Sequence, residues 1–231
     1  MQPSESIGDR ILGVFAKQPV AGQVKTRLAQ ATSPEWARRV AQAFLEDSLD
    51  RLSQVQARRT IVYSPAAAET YFLQMAHGRF DLVRQCEGDL GQRLTHFFAD
   101  ARRRGYSRIL AVGADSPTLP IAFIEQAFQL LETHDAVIGP TTDGGYYLIG
   151  CGGTTVGTIF EGIPWSTSRV LEITVQRLQE SSARTALLPP WYDVDTVDDW
   201  AMLRGHVLAM RQAGTDPGVP RVEKLIQEQT T

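Results

Sequence analysis

Cysteine is scarce in this 231-residue chain: Cys86 and Cys151 stand far apart, with no Cys-x-x-Cys pair and no Cys/His spacing. A disulfide framework is thereby excluded and a zinc site disfavoured, and both thiols read as buried fillers. Long hydrophobic runs are missing too. The longest near the start, Ile11 to Ala16, is too short for a signal peptide's apolar region. Nothing approaches the roughly 20 apolar residues of a membrane span, so the expected location is the cytoplasm. There is no basic excess either, with 23 Lys and Arg against 26 Asp and Glu and a formal charge of −3. Nucleic acid is therefore not an expected partner. Several catalytic signatures are also lacking: no Gly-x-Ser-x-Gly elbow, no His-Glu-x-x-His, no Gly-Lys-[Ser/Thr] phosphate loop and no Gly-x-Gly-x-x-Gly turn. His77, His96, His134 and His206 have no triad or metal spacing.

What remains is a globular composition, 43% hydrophobic and 21% charged, that can bury a sizeable core. Apolar runs at Ile11–Ala16, Thr60–Tyr63, Phe80–Val83, Arg108–Gly113, Ala136–Gly139 and Tyr146–Ile149 read as strands. Several lack polar alternation, as strands buried on both faces of a parallel sheet do. Between them lie amphipathic stripes: Trp36, Val40, Phe44, Leu45, Leu49 and Leu52, opened by Ser33 and Pro34; Leu90, Leu94, Phe97 and Ala101; and Ile121, Ile124, Phe128 and Leu131. Trp200, Leu203, Val207 and Met210 share a later face, and Thr196 with Asp199 has capping-box spacing. This alternation predicts an α/β fold, a Rossmann-like, mostly parallel sheet flanked by helices. The expected division is a flexible N-terminus over 1–10, one domain over 11–211 and a loosely attached tail over 212–231 with a short helix.

In open α/β sheets ligands bind beyond the carboxyl ends of the strands. Four such segments carry polar residues and glycines. Lys17 to Leu28 gathers Lys17, Gly22, Lys25 and Arg27 after the first strand, suited to neutralising phosphate or to forming a plain basic loop. Asp115 follows the Arg108–Gly113 run, where a carboxylate can hold Mg²⁺ or Mn²⁺ or merely cap a turn. Asp143-Gly144-Gly145 lies between two apolar runs and reads as a hairpin turn or as an approach for sugar or phosphate. Asp193 and Asp195, one residue apart, point to the same side of an extended segment; Asp195, nearer the helix, is assigned to metal. A basic cradle beside acidic ligands is what a polyphosphate held through a divalent ion requires.

Lys17-x-Pro19-x-x-Gly22-x-Val24-Lys25-Thr26-Arg27-Leu28, Gly88-Asp89-Leu90-Gly91-x-Arg93, Gly113-x-Asp115-Ser116-Pro117, Asp143-Gly144-Gly145-Tyr146 and Val194-Asp195-Thr196-x-x-Asp199 occur in this order. Together they resemble the bacterial family of glycosyltransferase-A-like proteins long classed as a domain of unknown function. Some of its members are labelled arsenosugar-biosynthesis or radical-SAM-associated glycosyltransferases. The resemblance spans about residues 11 to 205 and implies a nucleotide-diphospho-sugar transferase (GT-A) type of fold. It assigns Lys17, Gly22, Lys25, Thr26 and Arg27 to nucleotide phosphates, and Gly88, Asp89 and Arg93 to the neighbourhood of the nucleoside. Asp115 and Asp195 become the metal ligands, although Ser116-Pro117 follows Asp115 where an Asp-x-Asp pattern is usual. Ser116, Gly144, Gly145, Tyr146 and Trp165 fall to the substrate, with Trp165-Ser166-Thr167 on the acceptor side.

Three functions follow. The first is sugar transfer from a metal-bound nucleotide-diphospho-sugar to a small-molecule acceptor. Lys25 would stabilise the departing diphosphate and Asp143 would serve as base for the acceptor hydroxyl. The second is nucleotidyl transfer from an NTP to a phosphorylated small molecule, with release of pyrophosphate. The third is a non-catalytic nucleotide-binding module. The oligomeric state is open, a dimer included.

Overall fold

The computed structural model describes residues 7–152 and 158–229. Seven strands form one sheet in the order β3-β2-β1-β4-β6-β5-β7. They are β1 Arg10–Lys17, β2 Arg58–Ser64, β3 Asp81–Arg84, β4 Arg108–Gly113, β5 Ala136–Pro140, β6 Tyr146–Cys151 and β7 Thr185–Leu187. β1 lies between β2 and β4, parallel to both, which explains why its sequence is apolar on both faces. β6 runs antiparallel to β4 and β5; every other pairing is parallel. The expected mostly parallel sheet is observed, with one reversed strand inside it.

Helices α1 Thr26–Ala31, α2 Pro34–Leu52, α3 Glu69–Ala76, α4 Leu90–Arg103, α5 Ile121–Leu130, α6 Val170–Glu180, α7 Val197–Gln212 and α8 Pro220–Glu228 connect and cover the strands. On one face Leu12, Val14, Leu110 and Val112 pack with Leu45 and Leu49 of α2, Phe72 of α3 and Phe128 of α5. On the other, Ile11, Ile109, Ile138 and Ile149 meet Leu94, Phe97 and Phe98 of α4 and Leu178 of α6. Gly13 is required here, since a Cβ would stand 2.3 Å from the Phe97 ring. A third cluster joins Leu28, Val40 and Phe44 to Trp200, Leu203 and Val207 of α7 and to Val222, Leu225 and Ile226 of α8.

The expected caps are present. The Ser33 hydroxyl accepts from the Trp36 amide at 3.1 Å, and Thr196 and Asp199 form a complete capping box.

At both ends the described residues make tertiary contacts. Residues 1–6 of the expected flexible N-terminus lie outside the described residues. Ile7–Asp9 forms a turn, however, and Asp9 receives bonds from Ser107 Oγ at 2.6 Å and Arg108 Nη2 at 2.6 Å, which tie it to the start of β4. The C-terminal segment is not loose. Val219, Val222, Leu225 and Ile226 are buried, and fully buried Asp47 of α2 accepts from the amides of Arg221 at 3.1 Å and Val222 at 3.0 Å. Among the described residues no helix is long and apolar enough to cross a membrane.

Candidate active site

The carboxyl ends of β1 and β4, the β5–β6 turn and the segment before α7 converge on one edge of the sheet. After β1 the chain folds back on itself: Lys17 Nζ donates to the Gln23 carbonyl at 2.8 Å, and Gly22 takes φ 78°. Lys25 then adopts a left-handed backbone (φ 46°, ψ 47°), uncommon for a residue with a Cβ, as it opens α1. From the far side the 191–195 segment is zipped against its neighbours. Thr142 N–H donates to the Trp191 carbonyl at 3.2 Å, and Val194 N–H donates to the Asp115 carbonyl at 3.1 Å. Buried Val194 plugs into the third cluster, and Asp199 accepts from Asp195 N–H at 3.1 Å, which fixes the direction of Asp195.

These constraints bring Lys25, Asp115 and Asp195 together. Lys25 Nζ donates to Asp195 Oδ1 at 2.8 Å and also bonds Asp115 Oδ1. The lysine side chain is only 4% exposed and lies 5.5 Å from the Phe44 ring centroid. Burial alone would lower its pKa, but the carboxylates of Asp115 and Asp195 outweigh it and hold the ammonium above the ordinary lysine range. Asp193 stands close by, with no ion-pair partner among the described residues. Burial, then the charges of Asp143, Asp195 and Asp115, push its carboxyl up to about 6.

Two clefts meet at Lys25 and Asp195, which line both. The smaller, about 250 Å³, is bounded by Lys17, Gln23, Ala114, Asp115 and Leu45. The larger, about 550 Å³, is lined by Thr26, Arg27, Leu90, Asp143, Gly145, Tyr146, Trp165 and the hydroxyl residues Ser166, Thr167 and Ser168. Arg27 has no ion-pair or hydrogen-bond partner among the described residues, so a cation is available to a ligand there. Trp165 closes one wall, its ring edge-on to Tyr146 at 6.4 Å. It packs against Gly91, where a Cβ would come within 3.0 Å of its Nε1. Burial pushes the Tyr146 hydroxyl well above its ordinary pKa. Asp143 Oδ1 accepts from Thr141 Oγ1 at 2.5 Å and from Gly145 N–H at 2.9 Å, so its carboxylate is aimed by the turn itself.

Other expected site residues serve the scaffold. Ser116 is buried and borders a separate small recess with Arg51 and Leu52, so adjacency to Asp115 in sequence does not bring it to either cleft. Gly144 lines neither cleft. With φ 92° it admits the Ser168 carbonyl, which a Cβ would approach at 2.2 Å, and its own carbonyl receives Leu171 N–H at 2.8 Å. Asp89 is the N-cap of α4, in a capping box with Gln92. Gly88, at φ 113°, packs on the Gln92 side chain, and Arg93 Nη1 bonds Gln85 Oε1 at 3.1 Å. None of these three borders either cleft; of that motif only Leu90 does. Sequence reasoning noticed Asp193 without giving it a place and passed over Ser168. The signal for Asp193 was its alternation with Asp195; Ser168 offered none.

Comparison with known proteins agrees with this architecture. A family model described as an uncharacterized protein conserved in bacteria (DUF2064) matches residues 48–167. A protein from Desulfovibrio desulfuricans G20, provisionally named a nucleotide-diphospho-sugar transferase, is 31% identical. The match covers 95% of this chain and 97% of that one, with a TM-score of 0.83. A cytidylyltransferase from Leptospira borgpetersenii serovar Hardjo-bovis matches at 11% identity, 96% and 95% coverage and a TM-score of 0.59. The 4-diphosphocytidyl-2C-methyl-D-erythritol synthase from Anaerococcus prevotii DSM 20548 matches at 13% identity, 87% and 99% coverage and a TM-score of 0.59. These last two share the fold alone. The sequence matches none of the curated proteins. With a family model over half its length and a relative 31% identical along nearly all of it, the chain belongs to the DUF2064 family of bacterial proteins and has a nucleotide-diphospho-sugar transferase type of fold.

Proposed function

We propose that the protein transfers a glycosyl group from a metal-bound nucleotide-diphospho-sugar to a small-molecule acceptor. The observation that carries this reading is the meeting of Lys25 with both Asp115 and Asp195 where two clefts join, beside Arg27, which has no partner among the described residues. Diphosphate binding needs positive side chains, and diphosphate departure needs further charge neutralisation.

Mg²⁺ or Mn²⁺ fits the donor set. Two carboxylates already share one cation, and their oxygens are the hard ligands such ions take, commonly one or two per site beside substrate phosphate. Among the described residues no group of three or more His, Cys, Asp or Glu side chains is placed to hold a metal, so the remaining coordination belongs to phosphate and water. When bound, the ion would neutralise the charge that grows on the leaving diphosphate. Lys17, Lys25 and Arg27 hold the phosphates. Trp165 offers an aromatic face, and Ser166, Thr167 and Ser168 offer hydroxyls to a polyhydroxylated ligand in the larger cleft. No described residue donates to Asp143 Oδ2, so that oxygen is available to take a proton from an acceptor hydroxyl.

The same three cations suit a triphosphate, and the cytidylyltransferases share this fold, so nucleotidyl transfer is the second reading. One experiment separates them: incubate the protein with Mg²⁺ or Mn²⁺ and panels of nucleotide-sugars and NTPs, with candidate acceptors, and identify the products. Release of a nucleoside diphosphate is the expected result. Pyrophosphate from an NTP would replace glycosyl by nucleotidyl transfer. Binding without any product would reduce the protein to a nucleotide-binding module.

A further inference from the structure

We propose that the Lys25 ammonium is an internal counter-ion that keeps a divalent cation from the Asp115–Asp195 pair until a diphosphate arrives, so that the two load together. This rests on the reading above that the pair holds a cation. Lys25 Nζ already sits between the two carboxylates, 2.8 Å from Asp195 Oδ1 and bonded to Asp115 Oδ1, where a hard cation would be drawn. Its side chain is 4% exposed, so within the pair its charge is balanced by carboxylate rather than by water. Its backbone is held in the left-handed region, a conformation that costs free energy and collects at sites that change state. The residue lines both clefts, which meet at it.

Charge accounting gives the coupling. Two carboxylates and one ammonium leave one negative charge in excess. Binding a divalent cation alone would push the ammonium toward Lys17 and Arg27, which repel it. Binding a diphosphate alone would set its charge against that excess. With both present, the carboxylates are neutralised by the cation, and the released ammonium joins Lys17 and Arg27 on the phosphates. Each ligand then raises the affinity for the other by the same factor, as linkage demands.

The test measures binding. Mn²⁺ alone is titrated by electron paramagnetic resonance into the wild type and Lys25→Met, and labelled inorganic pyrophosphate is dialysed against the wild type with and without Mn²⁺. Lys25→Met is expected to bind Mn²⁺ at least about tenfold more tightly than the wild type. The wild type is expected to hold pyrophosphate at least about tenfold more tightly with Mn²⁺ than without it. Equal Mn²⁺ affinity of the two proteins overturns the inference, while Mn²⁺-dependent pyrophosphate binding would leave the diphosphate site standing. Failure to retain pyrophosphate even with Mn²⁺ removes both. A measurement on the wild type guards against misfolding of the variant. The chain has three lysines, so the Lys25 Nζ signal can be assigned in ¹⁵N NMR by substituting the other two. It should move with Mg²⁺ and pyrophosphate together and stay put with Mg²⁺ alone; an equal shift with Mg²⁺ alone also overturns the inference.

Discussion

Lys25 and Asp195 are 170 positions apart, yet their side chains bond, because each ends a segment that leaves the sheet at the same edge. That Lys25 would lie near the crevice was readable from the apolar run preceding it, and Asp195 was singled out by its alternation with Asp193 ahead of a helix. That one lysine would hold two aspartates was not, since pairing depends on the direction of side chains in loops. Ser116 shows the same limit, one residue from Asp115 and facing a different recess. Asp115→Asn keeps the shape of the side chain and loses its charge. Turnover is expected to fall by about 10²-fold or more with the melting temperature nearly unchanged; full metal-dependent turnover would remove Asp115 from the site.

Asp193 carries a pH signature. Its folded pKa of about 6 lies above the ordinary carboxylate value of 3.8, so the folded state binds the extra proton. Its ionisation therefore costs stability, an effect that sets in as pH rises past about 4 and is complete above about 6. Asp193→Asn is expected to be more stable than the wild type at pH 7.5, by on the order of 2 kcal/mol, and no more stable below pH 4. Urea denaturation at both values decides it, and a pH-independent difference would contradict the assignment.

Among the elements, the six apolar runs read as strands all lie within or overlap observed strands, and the four longest amphipathic stripes became α2, α4, α5 and α7. Those elements announce themselves because burial of one face or both imposes a period. β7 has three residues and is defined by pairing with β5 rather than by its own pattern. α1 has six, of which only Leu28 is buried, so its one basic residue, Arg27, reads as loop. The reversal of β6 follows from the short 141–145 turn, which sequence favoured as a hairpin on its own merits. α8 was foreseen as a short helix but not as a docked one, because its partners, the buried Asp47 and the apolar faces of α2 and α7, are distant from it or unmarked in sequence. Asp47→Ala would strip the amides of Arg221 and Val222 of their acceptor and is expected to cost about 2 kcal/mol, with faster hydrogen exchange across 219–229. Unchanged exchange there would mean that apolar packing and the ion pairs of Arg39, Arg211 and Arg221 hold the helix without it.

At the scale of the whole molecule, the sheet sets basic and acidic groups at one edge while the chain as a whole carries only −3. The site's charge is thus local, and the proposed selectivity for a diphosphate rests on that edge rather than on the general field. The direct test is a crystal structure grown with Mn²⁺ and a nucleoside diphosphate, with data at the manganese absorption edge. An anomalous peak is expected within bonding distance of the Asp115 and Asp195 carboxylates, with the diphosphate against Lys17, Lys25 or Arg27. A fully occupied nucleotide whose manganese lies away from both aspartates would contradict it.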